Sequence, residues 1–223
     1  MKISIIIPVL NEERNLSKTL AELQSFRCSG HEIIVVDGGS VDRSLELAHE
    51  MSDTVLVSNP GRALQMNSGA AVATGDVLLF LHADTVLPEN AAQHMATCQT
   101  GKNFWGRFDV RLSSDRKIYR LIEFLMNWRS RLTSIATGDQ AIFIGQKLFN
   151  KIGGFPEIAL MEDIALSRSL KKISRPVCLQ HKVITSSRRW EQKGVITTVV
   201  LMWKLRLYYY FGVSPEKLSR LYR

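Results

Sequence analysis

Cysteine is scarce in this chain: three in 223 residues, Cys28, Cys98 and Cys178. They are odd in number, far apart and without a histidine pattern beside them, which excludes a disulfide framework and a cysteine-type zinc site and points to a reducing compartment. Long apolar runs are missing too. The apolar start, residues 1–8, is too short for a signal peptide. Residues 195–211 are interrupted by Lys204 and Arg206 and fall short of the roughly 20 apolar residues a spanning helix needs. A soluble, cytoplasmic protein is the expectation. Gly/Ser linkers, repeats and low-complexity segments are absent, so one domain over residues 1–223 is expected. Acids are nearly missing from the last quarter. Residues 165–223 hold 13 Lys/Arg against 2 Asp/Glu, whereas residues 1–164 hold 16 against 19, and the net charge of +8 arises in the tail.

Three nucleotide-binding signatures are also absent. No G-x-G-x-x-G follows the first apolar run, which disfavours a nicotinamide or flavin site, and no G-x-x-x-x-G-K-[ST] occurs, which disfavours a P-loop NTPase. An aspartyl phosphatase would need an acid where His82 stands. A sugar nucleotidyltransferase, a competing reading, carries a Gly-rich basic loop after its first strand. Val9-Leu10-Asn11-Glu12-Glu13 has no glycine.

What is present is an alternation of strands and helices. Residues 3–7, 33–36, 54–57 and 77–81 are apolar throughout, as strands buried on both faces read. Between them come a helix opening near Asn11 with Leu16, Leu20 and Leu23 on one face, a helix capped by Ser40 with Leu45, Ala48 and Met51, and a small-residue helix over 62–73. Strand–helix alternation predicts right-handed crossovers and a parallel sheet. From Phe104 the pattern changes. Residues 104–112 alternate like a half-exposed strand, and the next helix is predicted to face Ile118, Leu121, Ile122, Leu125 and Met126 inward and Arg120, Glu123, Asn127 and Arg131 outward. A strand over 141–144 and a helix over 164–172 complete an α/β chain, Rossmann-like in its first half and mixed in its second, with a helical tail.

Ligands of open parallel sheets bind beyond the carboxyl ends of the strands. Asp37, before Gly38-Gly39-Ser40, and Asp84, in His82-Ala83-Asp84, fall there. Thr137-Gly138-Asp139-Gln140 precedes a strand, and Glu162-Asp163 opens a helix. A carboxylate at a helix N-terminus is stabilised by the dipole, so Asp163 is predicted to be ionised, with only one of the adjacent pair turned into a site.

In order, Ser4-Ile5-Ile6-Ile7-Pro8-Val9-Leu10-Asn11-Glu12-Glu13, Val36-Asp37-Gly38-Gly39-Ser40-Val41-Asp42, Asp84 and Glu162-Asp163 resemble glycosyltransferase family 2 with its GT-A fold. Gly61-Arg62-Ala63-Leu64-Gln65-Met66-Asn67, Thr137–Gln140 and Ser187-Arg188-Arg189-Trp190 are similar to a bacterial subgroup, some of whose members are named for arsenosugar biosynthesis. The resemblance implies an inverting transfer from a nucleotide-diphospho-sugar, most often a uridine one, to an acceptor hydroxyl. It divides the chain into a donor half (1–100), an acceptor and catalytic half (101–190) and a helical tail (191–223).

On that resemblance Pro8, Asn11, Glu12 and Asp37 line the nucleotide pocket. Asp84 is the last acid of a reduced D-x-D and holds a divalent cation, Mn2+ or Mg2+, on the diphosphate. Asp163 is the catalytic base with Glu162 as its fallback. Arg62, Arg188 and Arg189 meet the diphosphate, and Asp139, Gln140 and Trp190 stand on the acceptor side. His82 replaces the first acid of the D-x-D, and Ser186 replaces the glutamine of the processive members' Q-x-x-R-W, so one sugar is expected to move rather than a polymer. The acceptor is left open, with lipid-linked ones common in the family, and no nucleic acid is expected. For residues 195–211 a helix packed on the core or on a homodimer partner stands beside a helix lying on the inner face of a membrane. The remaining competitor is a non-enzymatic basic module binding nucleic acid or membrane through residues 165–223. It predicts salt-sensitive binding and leaves Asp37, Asp84 and Asp163 without a role.

Overall fold

The computed structural model describes residues 1–97, 101 and 103–222, and Cys98 lies outside them. Among the described residues the chain runs β1 (Ile3–Val9), α1 (Glu13–Cys28), β2 (Glu32–Asp37), α2 (Ser44–Met51), β3 (Thr54–Val57), α3 (Arg62–Val72), β4 (Val77–Phe80), β5 (Thr85–Val86) and α4 (Ala91–Thr97). There follow β6 (Trp105–Leu112), α5 (Lys117–Thr133), a 3-10 turn (Gly138–Gln140), β7 (Ile142–Gly145), α6 (Gln146–Ile152), α7 (Glu162–Leu170), β8 (Val177–Thr185), α8 (Arg188–Lys193), α9 (Val195–Tyr210) and α10 (Pro215–Tyr222). The strands form one sheet in the order β3-β2-β1-β4-β7-β6-β8-β5. The first four are parallel, β7 runs antiparallel to β4 and to β6, and β8 is parallel to β6. The Rossmann-like half and the mixed half are thus one surface.

Because side chains alternate across a strand, the apolar runs feed two cores. Ile3, Ile5, Ile7, Ile33, Val35 and Leu79 meet Leu16, Leu20 and Leu23 of α1 on one face. On the other, Ile6, Ile34, Val36, Leu78 and Phe80 meet Ala63, Met66 and Ala70 of α3 and Leu166 and Leu170 of α7. Residues buried on both sides have no polar face to show, which is why these strands lack alternation.

Three expectations are corrected. Ser40 does not cap a helix. The second helix begins at Ser44, and Ser40 is held in the loop by Asp37 and Asn11. β6 is not half-exposed; only Arg111 of its eight residues is exposed. And α5 is rotated from its predicted face, though Ile122 stays buried and Arg131 exposed as expected. Glu123 and Asn127 are buried, whereas Leu121 and Leu125 are about half exposed.

The last two share a cause. β7 pairs with β6 only at Trp105 and Gly106, which leaves the rest of that β6 edge without a strand, and unpaired backbone groups are costly to bury. α5 supplies the partners. Asn127 accepts from the Val110 N–H at 2.9 Å and donates to its carbonyl at 3.0 Å, and Glu123 accepts from the Leu112 N–H at 2.7 Å. A helix that covers an open strand edge must turn polar side chains inward, and its apolar positions then face out.

Gly106 marks the tightest point of the sheet. A Cβ there would sit 2.3 Å from the Val177 carbonyl oxygen and 2.5 Å from the Phe143 ring. Overpacking of this kind costs about 1–3 kcal/mol, so Gly106→Ala is expected to lower the unfolding free energy by that much, read as a lower urea midpoint at unchanged slope. An unchanged midpoint would show that β6 and β8 separate easily.

Candidate functional site

The loops after β1 and β2 are tied together at the carboxyl end of the sheet. Asn11 sits in the left-handed region (φ 55) and accepts from the Val41 N–H at 2.9 Å, while its own N–H donates to the Ser40 hydroxyl at 2.8 Å. Asp37, 1% exposed, accepts from the N–H groups of Gly39 (2.9 Å) and Ser40 (2.8 Å) and from the Ser40 hydroxyl. Its carboxylate therefore builds the turn as much as it faces any ligand. Gln65 of α3, buried, donates to the carbonyls of Val9 and Val36, both at 2.8 Å, and so fixes the ends of both strands. Pro8, half-buried, pairs in register with Val36.

Below this platform Arg62, His82, Gly138, Glu162 and Asp163 line one small pocket with Met66, Phe80, Ile142 and Phe155. Both acids of the Glu162-Asp163 pair line it, where one was expected. Asp163 accepts from the Gly138 N–H at 2.9 Å and from the Ile164 N–H at 2.7 Å. Burial nevertheless pushes its carboxyl up to about 7, with Glu162 and Asp139 adding to the rise against those two N–H groups. Asp163, expected to be ionised, is thus ionised only in part near neutral pH. Desolvation and neighbouring acids outweigh the helix terminus.

His82 is held down to about 3 by burial and by Arg62, so its imidazole is neutral. Its Nε2 presses on Gly138, where a Cβ would come within 2.5 Å of it. Asp84 is raised by burial and by Glu12, against the pull of Arg188 and Arg62. Glu12 takes Arg188 at 3.4 Å and Asn15 at 2.7 Å. Burial works against the charge of Arg62, but Tyr222, Glu162, Asp163 and Asp84 outweigh it and raise the guanidinium above its ordinary value. The acids, two arginines and the end of the tail thus face one another.

Other expected site residues do not line this pocket. Arg189 stacks on the Tyr222 ring at 3.6 Å and donates to the Tyr222 carbonyl at 2.8 Å. Trp190 packs against Leu112, Tyr119 and Ile122. Gln140 is fully buried, accepting from the Thr137 N–H and donating to Asn127, and Asp139 accepts from the Thr137 hydroxyl.

Sequence reading missed Gln65, Asn67 and Arg129 as individuals. Asn67 ties the Gly153-Gly154 turn to α3 through two 2.9 Å bonds with Phe155. Arg129 has buried Nε and Nη2 atoms without a hydrogen-bond partner. Burial lowers its pKa, Asp139 and Asp163 oppose that fall, and Arg107 adds to it. The polar side of α5 was the signal that could have found it.

Among the described residues no three His, Cys, Asp or Glu side chains converge as a metal cage. Asp84 fits a divalent ion as a single carboxylate ligand. Hard divalent ions accept one or two carboxylates when substrate phosphates and water complete the shell. The His82 nitrogen turned onto Gly138 is no part of that set.

Residues 4–155 match the family model of glycosyl transferase family 2. The chain is 33% identical over 102 residues to an uncharacterized glycosyltransferase of Nostoc sp., a stretch covering 43% of this chain and 32% of that protein. The chain thus spans about a third of that relative's length. Among solved structures it is similar to Staphylococcus aureus TarS 1–349 in complex with UDP-GlcNAc (TM-score 0.66, 19% identity, 83% of this chain and 58% of that one). It is also similar to a mannosyltransferase from Pyrobaculum calidifontis in complex with GDP-Man and Mn2+ (TM-score 0.66, 17% identity, 99% and 67%). At these identities the likeness establishes the fold, an α/β fold shared with glycosyltransferases.

Proposed function

Since this chain belongs to glycosyl transferase family 2, we propose that it moves one sugar from a nucleotide-diphospho-sugar, a uridine one in the first instance, to an acceptor hydroxyl with inversion. The observation that carries this reading is the convergence on one pocket of Asp163, a carboxyl poised near neutrality, with Glu162 and the guanidinium of Arg62, which also feels the charge of Asp84.

In the proposed reaction the platform of Pro8, Asn11 and Asp37 seats the nucleoside. Arg62 and Arg188 lie where a diphosphate gathers charge as it leaves, and guanidinium groups match phosphate oxygens well. Asp84 would hold a Mn2+ or Mg2+ ion, which when bound would neutralise that charge further. Asp163 takes the proton of the acceptor hydroxyl. The acceptor oxygen then forms its bond to the anomeric carbon as the bond from that carbon to the diphosphate oxygen breaks on the opposite side. We assign Glu162, Asp139 and Arg129 to positioning, through the charge they place around Asp163. The division into a donor half, an acceptor half and a tail, and the movement of a single sugar, belong to the same proposal.

The test is a thermal-shift screen of nucleotide sugars with and without Mn2+. A ligand at 100 times its Kd stabilises by about 2.7 kcal/mol, which in a chain of this size raises the midpoint by roughly 5–10 °C. A uridine-diphospho-sugar is expected to do so, and Arg62→Ala to reduce the shift. No shift with any nucleotide sugar would overturn the reading.

A further inference from the structure

The rotated α5 leaves an apolar face exposed among the described residues. Ile118, Leu121, Phe124, Leu125, Trp128 and Leu132 are between 43% and 64% exposed. Five of them (118, 121, 125, 128, 132) follow the three-four spacing of one helical stripe, along a helix about 25 Å long. α9 carries a second stripe of the same spacing, Ile196, Val200, Trp203, Leu207 and Tyr210, between 54% and 80% exposed. The two helices meet at one place. Val195 at the start of α9 and Trp190 just before it pack on the cluster of Leu112, Tyr119 and Ile122, the last two from α5. Monomeric proteins rarely show contiguous apolar surface on this scale unless it binds something.

The charge on these helices selects the occupant. Of the six Lys/Arg of α5 and α9, Arg120 and Arg131 are paired with acids and Arg129 has buried nitrogens, which leaves Lys117, Lys204 and Arg206, while Glu123, the one Asp/Glu of the two helices, is buried against β6. No acid occurs from residue 192 to residue 215. A second copy seated on the same face would bring two cationic rims together, whereas an anionic surface complements them. Trp128, Trp203 and Tyr210 are amphipathic rings of the kind that settle at the headgroup level. No described helix is long and apolar enough to cross a membrane.

We propose that the outer faces of α5 and α9 form a docking surface for an anionic lipid bilayer, on which the protein lies with both stripes in the headgroup region. The docking stands independently of the transferase reading. Its consequence rests on that reading: α5 carries Trp128 on its outer face and, at the next position, Arg129, which feels the charge of Asp163, so the helix that meets the lipid is also one whose charge bears on the pocket. An acceptor hydroxyl borne by a membrane lipid would then reach the base.

The experiment is flotation of the full chain with vesicles of phosphatidylcholine alone and of phosphatidylcholine mixed with phosphatidylglycerol, with tryptophan emission as a second readout. Binding to the anionic vesicles, weakened by salt and accompanied by a blue shift, is expected. Phe124→Ser with Trp128→Ser on α5, or Trp203→Ser with Leu207→Ser on α9, should each lower the bound fraction at least about tenfold while the thermal midpoint and the nucleotide-sugar shift stay as in the parent. Absence of flotation, equal binding to both vesicles, or a concentration-dependent dimer broken by the same substitutions would each overturn the proposal. The last would assign the face to a second copy. The nucleotide-sugar shift is read separately, so a failure of docking is distinguishable from a failure of the transferase reading.

Discussion

Asp163→Asn is expected to lower the transfer rate by about 100- to 10,000-fold, the range a positioned general base supplies, with donor binding retained. The amide keeps the shape and an acceptor for the Gly138 N–H but cannot take a proton. The pH dependence identifies the group. A base works deprotonated, and the Asp163 carboxyl is pushed up to about 7, so activity should fall about tenfold per unit below that value. The residual activity of the variant should lack that limb.

Stability gives a second readout with the opposite sense. An acid whose folded pKa is raised binds more protons folded than unfolded between its ordinary value, 3.8, and about 7. Folding stability is therefore lost as pH rises through that window. Asp163→Asn removes this loss and should be at least as stable as the parent at pH 8, with the difference closing toward pH 4. A variant inactive because it is misfolded would show the reverse. Full activity in a folded variant would remove Asp163 as the base and turn attention to Glu162.

Arg107→Met carries the largest expected effect on stability. Arg107 is fully buried in β6. It donates to the Ser130 hydroxyl and the Asn127 carbonyl, both at 3.1 Å, and is paired with Asp109. Asp109 is buried as well, and its other oxygen takes Arg131 at 2.7 Å. Removing one partner of such a buried pair leaves an uncompensated charge and costs about 3–5 kcal/mol, which corresponds to roughly 6–20 °C in thermal midpoint. Arg131→Met, at a partly exposed partner, should cost much less. Replacing both Arg107 and Asp109 by apolar residues should recover most of the loss, because neither charge is then stranded. A loss below about 1 kcal/mol for Arg107→Met would show that water reaches Asp109.

These charges explain where sequence reading worked and where it did not. Three of the four parallel strands, β1, β2 and β4, were legible because residues buried on both faces have no alternative register that hides them, whereas the edge strand β3, with Val57 exposed, was legible only as an apolar run. The run 54–57 coincides with its strand, and 3–7, 33–36 and 77–81 differ from theirs by one or two residues. The alternation in β6 was also legible, but water was the natural assumption for its polar side, and that side is covered. Arg107 and Asp109 meet Ser130, Asn127 and Arg131 across a buried polar seam. Burial of a polar face by another polar face leaves no mark in hydrophobic periodicity, so Glu123 and Asn127 of α5 were read as outward-facing although both are buried.

The pocket divides in the same way. The chain itself placed Asp37 and Asp84 at strand ends and Asp163 at a helix start, because strand–helix alternation dictates where such ends fall. It could not show that Glu162 lines the pocket beside Asp163, that Arg189 is engaged by Tyr222, or that two nitrogens of Arg129 are buried without a hydrogen-bond partner. Those depend on which segments, distant in sequence, share one low-dielectric volume. Local pattern determined the strands, the order of the acids and the family. Tertiary packing alone decided the protonation of Asp163 and the outward face of α5, since both follow from which groups lose their water when the chain closes.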